Sequence, residues 1–471
     1  MHARRCRRLS IGFALAAACA SLLVVAHGHA QPAPPAPTWI ITGARILDAG
    51  AGRYLAPAAV VIEGGRIKSV TPSEPAGLPA DTRRLDVPKA TLVPGLIDVR
   101  AAVSPTAEFD TDYFMLLGLA HGATGYRALN LRTAWAEPQK RRIDSGVVTA
   151  PRLWVGGRGI DRGARPDLWL ADAANPSLAA AEAARQVAAN VDWIAGYDHL
   201  PADAYRAMVA AVKGSKARVA GMPGAASMAD LAAAGVASID TLAWPLAPRP
   251  AAADDPAAPD RAWTDAQARD IAALTTKLVR ARVTLVPMLA RAAARAFPGE
   301  LAKDPSLAFL TDDQRTDLVT QPAPPVPAPA KAGAQSSDAA RAARVWKDQA
   351  AFLVRFAKAR GRIATGTGFD LAGYPLQGAG VHAEMAALVR AGLTPADAIR
   401  AATVNAAALV GAEKTIAEIA PGREADFFVV QGDPLARIGD LASISWVIRR
   451  GEVLDPKVLR ARIKPGKGAP R

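Results

Sequence analysis

The chain has 471 residues, a formal net charge of +14, six histidines, two cysteines and an apolar fraction of 51%. That apolar content can fill a large core, and with 21% charged residues it excludes a largely disordered chain. Length suggests about three domain-equivalents, and whether the charge implies a nucleic-acid or membrane partner depends on where it sits.

Much of it sits at the two ends. Arg4, Arg5, Arg7 and Arg8 precede an apolar run from Leu9 to Ala26, and Gly28-His29-Ala30 gives a small-residue ending. The pattern predicts a secretory signal peptide over residues 1–30, with a mature chain starting near Gln31 and a periplasmic or secreted location. Cys19 after Ala16-Ala17-Ala18 makes a poor lipoprotein box, and Arg7-Arg8-Leu9-Ser10-Ile11 a poor twin-arginine signal, so plain export is the better reading. Both cysteines fall in the leader, which leaves the mature chain without disulfide, thiol nucleophile or thiolate ligand. Six further cations follow Asp455, from Lys457 to Arg471, and the residues between leader and tail carry only +4. That is an ordinary surface. No nucleic-acid partner and no integral membrane segment of the mature chain are expected.

Residues 31–37, QPAPPAP, form a proline-rich lead-in. From 38 to 93 short β-like runs alternate with glycine, and Ile62-Glu63-Gly64-Gly65-Arg66-Ile67 is a hairpin signal because two glycines can take the positive φ of a tight turn. Beyond Pro94 apolar strands alternate with alanine-rich helices. The strand candidates are 96–100, 124–129, 152–157, 193–197, 218–222, 238–242, 283–289 and 362–368. Eight strands in βα order predict an α/β fold: a (β/α)8 TIM barrel over 94–405, with its chemistry at the C-terminal strand ends. The low-complexity stretches 246–262 and 320–337 read as surface loops or mobile lids. β texture returns after Ala425, so 38–93 and 408–455 together predict a small composite β-sandwich, followed by a flexible basic tail over 456–471.

Leu92-Val93-Pro94-Gly95-Leu96-Ile97-Asp98-Val99 resembles the entry to the first barrel strand of the metal-dependent amidohydrolase superfamily, in its imidazolonepropionase and prolidase-like branch. Gly380-Val381-His382-Ala383-Glu384-Met385, Ala391-Gly392-Leu393-Thr394-Pro395, Ala402-Thr403-Val404-Asn405-Ala406-Ala407, Gly422-Arg423-Glu424-Ala425-Asp426 and Gly432-Asp433-Pro434-Leu435 match the pattern as well. The resemblance implies hydrolysis of amide-like C–N bonds by a metal-activated hydroxide, with zinc or another divalent ion as cofactor.

The residues at the implied ligand positions disagree with that chemistry. The His-x-His pair aligns with Arg100 and Ala102, the carbamylated lysine with Ala195, two histidines with Met222 and Thr241, and the aspartate of Gly-Thr-Asp with Gly368. A guanidinium has no lone pair to offer a cation, and methyl groups, a thioether and a hydroxyl bring no compensating charge. No cofactor is therefore expected.

Of the three histidines in the mature chain, His121 reads as a helix-end residue favoured by the helix dipole. His199 lies just beyond the fourth strand, where it could reach the barrel mouth or stand in solvent. His382 matches a family histidine, and a supporting or packing role is expected. Asp370, two residues past the vacated aspartate position, could place its carboxylate over the mouth or cap the following turn. Arg100 needs an anionic partner, either Asp370, Asp240, Asp198 or a bound anion.

Three functions remain open. The first is an inactive pseudo-hydrolase that binds a small molecule, an anion being one candidate, or a partner. The second is a hydrolase of C–N bonds in amides, cyclic amides or dipeptides that uses Asp370, His199 and Arg100 or a relocated metal. The third is a structural subunit of an active paralogue or a homo-oligomer.

Overall fold

The computed structural model describes residues 37–56, 58–101, 111–163, 170–250, 258–297, 334–368 and 378–462. Residues 1–36, over which a signal peptide and a proline-rich lead-in are expected, Ala102, Asp370 and the residues beyond 462 lie outside the described residues.

Each of the eight apolar runs forms a strand: β1 (Leu96–Ala101), β2 (Ala123–Ala128), β3 (Arg152–Val155), β4 (Trp193–Gly196), β5 (Arg218–Gly221), β6 (Ser238–Asp240), β7 (Thr284–Val286) and β8 (Arg362–Ile363). Neighbours pair in parallel within β1–β3 and within β4–β8. Two seams join the groups. Gly156 bridges to Trp193, and Asp192 N donates to Val155 O at 2.8 Å. At the other seam, Val99 N donates to Thr365 O at 2.9 Å and Gly368 N to Arg100 O at 2.8 Å. The arrangement is TIM-barrel-like. Ile97, Val99, Trp154, Trp193, Ala195, Ala220, Val286 and Ala364 fill its interior, while a larger apolar cluster joins strands to helices.

Helices form where alanine-rich periodicity meets good caps. Asn175 accepts from Leu178 N at the start of Pro176–Ala188, and Ser227 and Asp230 close a capping box ahead of Met228–Ala234.

Segments from both ends of the chain build the β-domain. One sheet has four strands in the order Arg66–Thr71, Ala59–Glu63, Trp39–Thr42, Arg83–Asp86. The other has six strands, and in it Ala90–Pro94 pairs antiparallel with Phe427–Gln431. Ile41, Val60 and Ile62 of the first sheet share a core with Leu92, Phe427 and Val429 of the second. Gly64 and Gly65 take φ of 57° and 78° in the hairpin turn.

Three expectations are corrected. Within 246–262, residues Ala258–Thr264 are helical because Trp263 and Asp260 are buried, the latter held by Arg295 and Arg341. Within 320–337, the last residues open the helix Ala334–Lys358. In the basic tail, Pro456–Arg462 is a helix rather than a flexible end, with Leu459 buried and Arg460 donating to Ala120 O at 3.1 Å.

Gly95 is where the β-domain passes into the barrel: its N–H donates to Asp426 O at 3.0 Å, and a Cβ there would overlap the side chain of Thr124. Thr124 is 1% exposed and β-branched, so it has little room to turn away. Gly95→Ala is expected to cost about 1–3 kcal/mol of stability, visible as a lowered melting temperature and partly recovered by Thr124→Ala.

Candidate functional site

The C-terminal ends of β1, β2 and β6 bring together a buried charge network. Asp240, on β6, accepts from Arg100 Nη1 at 2.9 Å and from Arg127 Nη2 at 3.0 Å, and Ser238 Oγ donates to it at 2.8 Å. Arg127 donates further to Ser238 Oγ and to the Val99 carbonyl, and its guanidinium stacks on the Trp193 ring at 4.4 Å. Asp240 and Arg127 have no exposed surface and the Arg100 side chain is 7% exposed. Burial works against the charge on both arginines. For Arg100 the surroundings, chiefly Tyr197 and Asp240, outweigh it and hold the pKa above the ordinary value; for Arg127 burial prevails and lowers it.

Of the three acids that could have paired with Arg100, the structure brings Asp240 to it. The other terminal nitrogen of Arg100, Nη2, donates to the Met222 thioether at 3.1 Å, a weak acceptor for a strong donor. The guanidinium also lies 5.5 Å from the Tyr197 ring. Arg100 and Met222, two of the singled-out positions, are thus in direct contact. Ala195 is buried in the barrel interior. Thr241 follows Asp240 with φ of 83°, a strained conformation for a β-branched residue. Gly368 has φ of 77°, and a Cβ there would collide with the methyl end of Met288.

A second cluster lies beside the mouth. After β3 the chain adds the two-residue strand Ile160–Asp161, which pairs with Gly196 and so sets Asp161 against the end of β4. Asp161 is fully buried and accepts both His199 N and His199 Nδ1, each at 2.9 Å. Burial raises its pKa and the His199 hydrogen bond opposes the shift. Asp198 Oδ1 lies 3.6 Å from His199 Nδ1, and Arg249 reaches its other oxygen at 3.4 Å. Among the described residues, Asp161, Asp198 and His199 form the one group of His, Cys, Asp and Glu with three ligand atoms within 4.8 Å of one another. A buried carboxylate behind a half-exposed imidazole can orient it as a base, and the trio can hold a cation.

The other two histidines pack at helix ends. His121 Nδ1 donates to Leu117 O at 2.8 Å, and His382 Nε2 to His121 O at 2.7 Å. Burial pushes the His382 pKa down, partly offset by that hydrogen bond.

Sequence reading missed Arg127, Asp161 and Glu384. A charge inside the apolar strand ATGYRA was the signal for Arg127; Asp161 gave none, because its placement depends on an unforeseen strand. Glu384 is fully buried and accepts Leu289 N at 2.9 Å and Ala290 N at 2.7 Å, which caps the helix Leu289–Ala296. Burial pushes its pKa up to about 7 against these two hydrogen bonds.

Residues 336–454 match the model of the amidohydrolase family. A prolidase-like protein from Bifidobacterium longum has 19% identity and a TM-score of 0.67, covering 91% of this chain and 100% of that one. The fold of the chain is like that of these solved proteins, and its C-terminal quarter carries the amidohydrolase family pattern. Molinate hydrolase resembles this amidohydrolase-fold chain at 17% identity and a TM-score of 0.66, with coverage of 93% and 98%. For bottromycin amidohydrolase the values are 20%, 0.68, 90% and 88%. No curated protein matches the sequence.

Two outcomes follow from the buried charges. Asp240→Asn leaves two guanidiniums facing a neutral amide and is expected to cost about 3–5 kcal/mol, whereas Arg100→Met, which leaves the Asp240–Arg127 pair intact, should cost far less in chemical denaturation. Glu384 binds its proton more tightly folded than unfolded, so the stability it contributes is complete below about pH 4.5 and is lost as pH rises towards 7. That loss is on the order of 3 kcal/mol, and denaturant midpoints between pH 5 and 7 should fall less steeply in Glu384→Gln than in the parent protein.

Proposed function

We propose that this is an exported amidohydrolase-fold protein that does not use metal-activated hydrolysis and binds a small anionic molecule at its barrel mouth through Arg100. The supporting observation is the Arg100–Asp240–Arg127 network: one carboxylate serves two guanidiniums at the strand ends. A divalent ion would supply an activated hydroxide at such strand ends, but the side chains at the described positions do not fit one. Arg100 is a permanent cation, Met222 is committed to it, Ala195 has no donor atom, and Gly368 has neither a carboxylate nor room for one. The weakly satisfied Nη2 of Arg100 instead favours a carboxylate or phosphate, which would accept from it better than the thioether does.

A second reading rests on the Asp161–His199 pair. Its geometry supports general-base hydrolysis without the family's metal centre, or a cation held by Asp161, Asp198 and His199.

The mature protein is expected to turn over neither dipeptides, cyclic amides nor N-acyl amino acids, with or without added zinc, while small carboxylates or phosphate raise its melting temperature and Arg100→Met removes that rise. Turnover abolished by chelation would overturn the proposal, and turnover abolished by His199→Ala would establish the second reading. N-terminal sequencing of the exported protein should find a start near Gln31.

A further inference from the structure

A cavity of about 580 Å³ lies where the β-domain meets the start of β3, away from the strand ends that carry Arg100. Its size suits a small organic ligand. The tip of the Gly64-Gly65 hairpin, the chain leaving the helix Thr133–Asp144, and the turn at Arg449–Val453 wall it in. Gly65 is needed there for close approach: a Cβ would lie 2.8 Å from Arg450 O.

The lining combines two chemistries. Trp39, Ile143, Val148 and Val453 supply an apolar surface with one aromatic face. The Arg83 guanidinium stands over the Trp39 ring at 5.7 Å, and Arg450 is held in place by the carbonyls of Ile143 at 3.0 Å and Asp144 at 2.5 Å. Neither arginine has a carboxylate partner among the described residues. Of the other charges at the wall, Arg449 pairs with Asp426 at 3.0 Å, and Glu452 accepts from Thr149 Oγ1 at 2.7 Å and keeps its negative charge, which leaves Arg83 and Arg450 one positive charge in excess. The balance is therefore cationic beside an aromatic face.

We propose that this cavity binds a small aromatic carboxylate, its ring against Trp39 and its carboxylate on Arg83 and Arg450. A planar ring gains both dispersion and stacking from the indole, and a guanidinium matches a carboxylate in a bidentate fork. The site is separate from the barrel mouth, so it stands or falls independently of the function proposed above.

The test is titration of the mature protein with 1-naphthoate, followed by calorimetry and by tryptophan fluorescence. Saturable one-site binding is expected, weakened at least tenfold in Trp39→Leu and in Arg83→Gln, with neutral 1-naphthalenemethanol binding at least tenfold more weakly than the acid. Both altered side chains are at least partly exposed, and circular dichroism verifies that the variants fold. Absence of saturable binding would overturn the proposal. So would binding retained by the Trp39→Leu/Arg83→Gln double variant, which would place the ligand elsewhere.

Discussion

Asp240 is a carboxylate with no access to water, in contact with two guanidiniums that come from strands 113 and 140 residues away in sequence. Removing any of these charges from water costs several kcal/mol unless a partner of opposite sign is in place. The partners can meet only when β1, β2 and β6 hold their correct registers around one interior. Arg127 adds a fourth strand to the constraint, since it stacks on Trp193 of β4 while donating to the backbone of β1. The apolar side chains make the barrel stable, and the charge network makes misregistered versions of it costly.

The strands were legible because each is a short apolar run between glycine-rich or polar segments, and buried parallel strands need no other signal. The composite β-domain was legible for the same reason. The pairing of charges was not: nothing local distinguishes Asp240 from Asp198 as the partner of Arg100, and the choice between them is made by tertiary distance. Asp161 was missed because the two-residue strand that places it is too short to leave a pattern. The helix Pro456–Arg462 was misread since its cations suggested solvent, whereas the buried Leu459 and the hydrogen bond from the Arg460 guanidinium to Ala120 O hold it against the helix Thr111–Ala120.

The two ends of the barrel are held by different means. At the entry end, the contact of Arg152 with Glu424, the hydrogen bond from Arg449 Nε to Ala150 O at 2.8 Å and that from Gly95 N to Asp426 O at 3.0 Å join the β-domain to the first strands. At the mouth, side-chain charges and a capped helix do the work. Asp98 illustrates the difference: buried beside the seam, it accepts Arg100 N at 2.9 Å and Thr367 Oγ1 at 2.6 Å, so one carboxylate fixes both the end of β1 and the chain leaving β8. Ligand chemistry at the mouth can therefore vary without disturbing the entry end.

The conformation of Gly368 sets what can be placed beside Met288. Its left-handed backbone favours glycine and the Met288 methyl fills the space beside it, so a carboxylate pointing inward from this position needs two adjustments. The backbone would have to flip and Met288, itself at φ of 52°, would have to withdraw at the same time. The first adjustment opposes a backbone preference, whereas the second moves only the flexible end of a side chain, so the glycine is the firmer of the two constraints.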